Sequence, residues 1–195
     1  VTISNNNLLA ALVLTMASSL VLGMGLPTAA AYILVATLTA PALVSMGVDL
    51  MAAHMFVFYS AMLSSITPPV ALAAFAAAAI CREPPMRVAM ISVKFGFVAF
   101  LLPYFFVLEP RLLGMGDIGE TVAVFAVAVV GILALACVLQ GYAFGKLTTL
   151  SRIIIGAAAL AVLLPDMKFK LIGIVTILAI LVAWKIGQIT KSARK

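Results

Sequence analysis

Residues 23–81 read GMGLPTAAAYILVATLTAPALVSMGVDLMAAHMFVFYSAMLSSITPPVALAAFAAAAIC, and Asp49 is the only formal charge in that length. A chain segment this apolar has to be covered by something other than water. Two short stretches interrupt it: Gly23-Met24-Gly25-Leu26-Pro27-Thr28 and Ser64-Ser65-Ile66-Thr67-Pro68-Pro69. In the second, Pro68 and Pro69 have no N–H, so the carbonyls of Ser64 and Ser65 are expected to lose their helical partners, and Pro68 pushes Thr67 out of the α region. A first half-helix is expected to end near Ile66 and a second to begin with Pro69 at N1, where a missing N–H matters little. In the first stretch Pro27 is expected to free the Gly23 carbonyl. Gly23 and Gly25 permit positive φ and close approach of the backbone to a ligand.

The rest of the chain has the same character. Of 195 residues, 66% are hydrophobic and 9% charged, against about 25% charged in soluble domains. The mean hydropathy is +1.30. An all-α integral membrane protein follows, a polytopic helical bundle, since a span needs roughly 20 apolar residues and the charges fall in clusters between apolar runs. Helices are expected at 8–22, 28–46, 50–66, 69–81, 88–108, 121–144, 152–164 and 170–187. The run 8–22 would reach only about 22 Å, short of the hydrocarbon core, so a re-entrant hairpin with its tip at 23–27 fits better than two full spans. The expected total is about five crossings plus that hairpin, with one crossing discontinuous at 64–69.

The net charge of +6 reads as orientation, because Lys and Arg concentrate in cytoplasmic loops. With 82–94 inside, Arg82, Arg87, Lys94, Lys146, Arg152, Lys185, Lys191, Arg194 and Lys195 are cytoplasmic, and Arg111, Lys168 and Lys170 are external. The C-terminus is then cytoplasmic. No basic patch with interleaved aromatics points to nucleic acid. Trp184, Tyr104 and Tyr142 are expected to anchor at the interface, the basic tail to meet lipid headgroups, and 86–94 to lie along the interface ahead of the next span. Pro41 and Pro103 read as kinks, Pro84 and Pro85 as a loop. Cys81 and Cys137 lack metal or redox spacing and read as inert core residues. Val1 is not an initiator Met, which is expected of a piece of a longer polypeptide.

Backbone carbonyls and Ser or Thr hydroxyls inside a membrane must be satisfied. Such oxygens are hard, neutral ligands suited to an alkali cation, helped by the negative C-terminal ends of half-helices. The N-termini near Thr28 and Val70 suit a substrate carboxylate. The candidate substrate- and ion-binding residues are therefore Gly23, Gly25, Pro27, Thr28, Ser64, Ser65, Thr67, Pro68 and Pro69, with Gly23, Ser64, Ser65 and Thr67 as sodium ligands. The alternative account of TPP is a kinked helix with hydroxyl back-bonding. Asp49 reads as a helix N-cap. His54, the only histidine, reads as a neutral packing residue, with a proton relay as the alternative. No GxSxG, HExxH or P-loop is present, and no enzymatic activity or cofactor is expected.

These residues carry a resemblance. GMGLPT, the proline-marked helix after it, SSITPPVALAAFAAAAI and KFGFVAFLLPYFFVLEPRLL resemble the large, DctM-like permease of tripartite ATP-independent periplasmic (TRAP) transporters, most of all the fused permeases that work with TAXI-type binding proteins. The resemblance implies the second inverted repeat of an elevator-type transporter over 1–113, followed at 114–195 by a C-terminal extension of about three transmembrane helices. It implies a sodium-driven symporter in the inner membrane that imports an organic acid received from a periplasmic solute-binding protein. It also implies an N-terminal permease region supplying the first repeat. A proton-coupled transporter and a non-transporting assembly module are the alternatives.

Overall fold

A computed structural model describes residues 7–143, 145–163 and 166–192. The chain divides into two compact units, Val1–Leu113 and Gly114–Lys195. Among the described residues of the first, α1 (Leu8–Leu22), α2 (Thr28–Ser45), α3 (Leu50–Leu63), α4 (Leu72–Cys81), α5 (Pro85–Phe95) and α6 (Phe97–Leu108) are joined by short connections, with 3-10 turns at Ser64–Ile66 and Pro110–Leu113. No strand occurs among the described residues; an isolated bridge joins Tyr142 to Lys146.

Local chemistry explains most helix starts. Asn7 Oδ1 accepts from the Ala10 N–H at 3.2 Å, and Asp49 Oδ1 from the Met51 N–H at 2.7 Å, satisfying orphan donors of α1 and α3. Pro85 is the first residue of α5, so the Pro84-Pro85 pair opens a helix rather than marking a loop alone. Its fixed φ suits N1.

The first unit is built around α3, which packs against α1, α2 and α6. Ala52, Ala53, Phe56 and Val57 of α3 are fully buried with Leu12, Val35, Ala40 and Leu43. The many alanines let helix backbones approach closely. Phe56 meets Tyr104 edge to face, centroids 5.2 Å apart, and Tyr59 meets Phe106 in the same way. Tyr104 is thus half-buried and packed against this core. Cys81 is exposed and Cys137 half-buried, both free, so the expectation of two core cysteines does not hold for Cys81. That residue closes α4 just before Arg82, whose φ of 53° ends the helix in a left-handed cap.

Where a single helix was expected over 88–108, the chain bends by 43° between α5 and α6 at Gly96. Two helices, Thr28–Ser45 and Ile118–Gln140, are long and apolar enough to cross a bilayer among the described residues, or three if α5 and α6 count as one span. Of the five crossings expected, Ile118–Gln140 and the bent α5–α6 pair qualify, Thr149–Val162 and the two halves of the broken helix are each too short to qualify alone, and Met167–Ser192 runs into residues whose side chains lie outside the described ones. Apolar side chains nevertheless cover the exterior, Ile80 at 85% and Phe95 at 68% exposure among them, a surface that suits a lipid solvent rather than water.

In the second unit α7 (Ile118–Gln140), α8 (Thr149–Val162) and α9 (Met167–Ser192) each pack on the next. Asp117 and Thr148 cap the first two. Arg152 donates to the Val138 carbonyl at 2.9 Å, satisfying an acceptor at the C-terminus of α7. Side chains from residue 181 onward, Trp184 and the basic tail included, lie outside the described residues.

Candidate functional site

The two interrupted stretches are brought together. Gly23 ends α1 with φ −79°, a conformation open to any residue, so its value lies in having no side chain. A Cβ there would stand 2.6 Å from Ser64 Oγ and 2.9 Å from the Ser19 carbonyl oxygen. The hairpin tip therefore rests directly on the end of α3. Gly25 is the position that needs glycine's conformational freedom, at φ +77°, and a Cβ on it would meet Val70 Cγ1 at 3.7 Å. Pro27 precedes α2, and Thr28 opens that helix at an exposed position.

Two expectations about freed carbonyls are corrected. The Gly23 carbonyl accepts from the Leu26 N–H at 3.2 Å, and the Ser64 carbonyl from the Thr67 N–H at 3.3 Å. In both places the chain tightens to an i→i+3 bond one residue ahead of the proline, so the missing proline donor leaves no orphan there. Each carbonyl keeps its second lone pair for a ligand. The second half-helix also begins later than expected, at Leu72 rather than Pro69. Thr67 is extended and Pro68–Val70 form a turn, because a residue followed by proline is kept from the α region and this applies to Thr67 and Pro68 in succession. Ala71, at φ 36°, redirects the chain into α4, and its N–H closes the turn on the Thr67 carbonyl at 3.2 Å.

The hydroxyls at the break are oriented by their own helix. Ser64 Oγ donates to the Ala61 carbonyl at 2.6 Å, Ser65 Oγ to Met62 at 2.7 Å and Thr67 Oγ1 to Leu63 at 2.7 Å. A hydroxyl has one hydrogen and two lone pairs, so each of the three has committed its donor and offers only acceptor capacity outward. Ser64 is buried, Ser65, Thr67 and Pro68 are half-buried, and Pro69 is exposed. No group of three or more His, Cys, Asp or Glu capable of holding a metal occurs among the described residues; the donors gathered here are neutral oxygens.

The N-termini of α2 and α4 start without a side-chain cap, as do those of α5 and α6, where α1, α3, α7 and α8 each have one. Their first N–H groups remain available to an anion. Gly96 was not singled out by sequence. A Cβ there would lie 2.8 Å from Ile66 Cδ1, so a third interruption, the bend between α5 and α6, touches the same place. The signal was a lone glycine in Phe95-Gly96-Phe97, which an apolar run hides.

His54 shares a 2.9 Å hydrogen bond with Tyr32 Oη through Nδ1. The pair borders a groove of about 660 Å³ between α2 and α3, lined mainly by apolar groups such as Ile33, Ala36, Pro41 and Leu50. None of the candidate site residues at 23–28 or 64–69 lines this groove.

Residues 1–116, more than half of the chain, match the family model described as "Tripartite ATP-independent periplasmic transporter, DctM component". No curated protein and no solved structure matches the chain.

Proposed function

This chain belongs to the DctM-component family of tripartite ATP-independent periplasmic transporters, and from that premise we propose that the hairpin tip and the broken helix form part of the site of a sodium-driven importer of organic acids. The family is one of membrane permeases served by a periplasmic binding protein. The finer reading is ours: a TAXI-type partner, sodium as coupling ion, a site completed by an N-terminal permease region with its own hairpin, and a cytoplasmic C-terminus in the inner membrane.

The observation that carries the reading is the contact of Gly23 with Ser64, too close for even one added carbon. It places the α1–α2 tip against hydroxyls whose hydrogens already point back along α3. Oxygen lone pairs without a competing donor or formal charge favour a hard monovalent cation. The uncapped starts of α2 and α4 would face the substrate carboxylate, with Thr28, Pro27, Pro68 and Pro69 shaping the backbone there.

The test is uptake by the whole permease with its binding protein in proteoliposomes. A sodium gradient is expected to drive it, and Thr67→Ala to raise the sodium half-saturation concentration about tenfold, equivalent to about 1.4 kcal/mol of ion binding. Uptake indifferent to sodium would sink the coupling claim.

A further inference from the structure

The broken helix is seated from one more side than the hairpin tip. Ile66 ends the 3-10 turn after α3, and its Cδ1 sits where a side chain on Gly96 would be, 2.8 Å from an ideal Cβ. Gly96 has φ −79° and ψ 1°, which any L-residue adopts. Glycine is therefore not needed there for backbone freedom; the missing side chain is what matters, because it leaves a socket for Ile66. Ile66 lies between Ser65 and Thr67, so its seating is passed through a single peptide on each side to their oxygens. The far side of the break is tied to the same arm, since Ala71 and Ala74 pack with Ala89 of α5.

We infer that Gly96 is a positioning residue for the ion site: its bare α-carbon receives the Ile66 side chain and so sets where Ser65 and Thr67 present their lone pairs. The inference rests on the sodium-site reading above. It assigns Gly96 no contact with ion or substrate.

The socket can be refilled and emptied again. Ile66→Val deletes the one carbon, Cδ1, that alanine at Gly96 would strike. In the reconstituted permease with its binding protein, Gly96→Ala is expected to raise the sodium half-saturation about threefold, because the Ile66 terminal methyl yields part of the way by rotation and only the remainder reaches the preorganised site as a displacement of a fraction of an ångström. Ile66→Val alone empties the socket and should raise the half-saturation by less than Gly96→Ala does, and Gly96→Ala with Ile66→Val should fall back below the Gly96→Ala value. A Gly96→Ala protein that behaves like the parent overturns the inference. So does one whose defect Ile66→Val leaves in place, because the Ser92 carbonyl oxygen, 3.1 Å from the same Cβ position, is then the contact that counts. Should Gly96→Ala fail to fold, the double variant decides: recovery of folded, transporting protein supports the socket, and failure refutes it. If the parent itself ignores sodium, the ion-site reading falls alone. The same three variants scored on substrate half-saturation then still decide whether Gly96 positions the break.

Discussion

The two units use glycine in opposite ways. In the first, Gly23 and Gly96 stand where helices stop, and the space they leave is taken by Ser64 and Ile66 from the broken helix. In the second, Gly131 and Gly173 stand inside continuous helices: a Cβ on Gly131 would meet Leu163 at 3.1 Å, and one on Gly173 would meet Val162 Cγ2 at 2.5 Å and the Ala158 carbonyl oxygen at 2.6 Å. The same missing side chain that brings interruptions together in one region brings whole helices together in the other. Interrupted helices place polar backbone and hydroxyls at membrane depth, which is costly unless a ligand or neighbour satisfies them. Continuous helices avoid that cost and hold little chemistry.

The contrast can be broken most forcefully at Gly23. Gly23→Val is expected to abolish uptake, since its Cβ collides with both Ser64 and the Ser19 backbone, and overpacking of this kind costs about 1–3 kcal/mol or more. Transport against folded yield is the measurement, and wild-type uptake would show that the tip and the break need not touch. Gly173→Leu is expected to destabilise the second unit by a similar 1–3 kcal/mol or so, seen as a lower Tm. The folded fraction should keep the parental sodium half-saturation. A shifted half-saturation would mean that the continuous helices take part in the ion site. The smallest effects are expected at the caps. Asp49→Ala and Asp117→Ala each remove a side-chain acceptor from a helix start and should cost about 1 kcal/mol apiece, read as Tm, with little effect on uptake. A much larger loss for Asp49 than for Asp117 would assign it more than capping.

Much of the architecture was legible because it rests on local chemistry. The helix 8–22, the start of α2 at Thr28 and the cap at Asp49 follow from apolar runs bounded by Asn, Pro and Asp, whose effects reach only one turn. The interruptions at 23–27 and 64–69 were legible for the same reason, as proline removes a donor wherever it sits. What the break does with its carbonyls was not. A proline pattern says which i→i+4 bond is lost, but whether the chain tightens to i→i+3, as at Gly23 and Ser64, depends on the neighbours' packing. The late start of α4 was legible in principle, since Pro69 keeps Pro68 from the α region as Pro68 does Thr67, but the left-handed turn at Ala71 and the bend at Gly96 were not. Ala71 and Gly96 are unremarkable in an apolar run, and only their surroundings give them a special backbone or an occupied socket.

The solvent, the class of fold and the places where helices must stop are written in the order of residues, since each depends on the hydrophobicity and hydrogen-bonding capacity of residues close together in the chain. Its ordered motifs also pointed to the family that residues 1–116 match. The convergence of Gly23, Ser64, Ile66 and Gly96 comes from packing alone. Their contacts join residues far apart in sequence, and the space left by an absent side chain has no value until another element fills it.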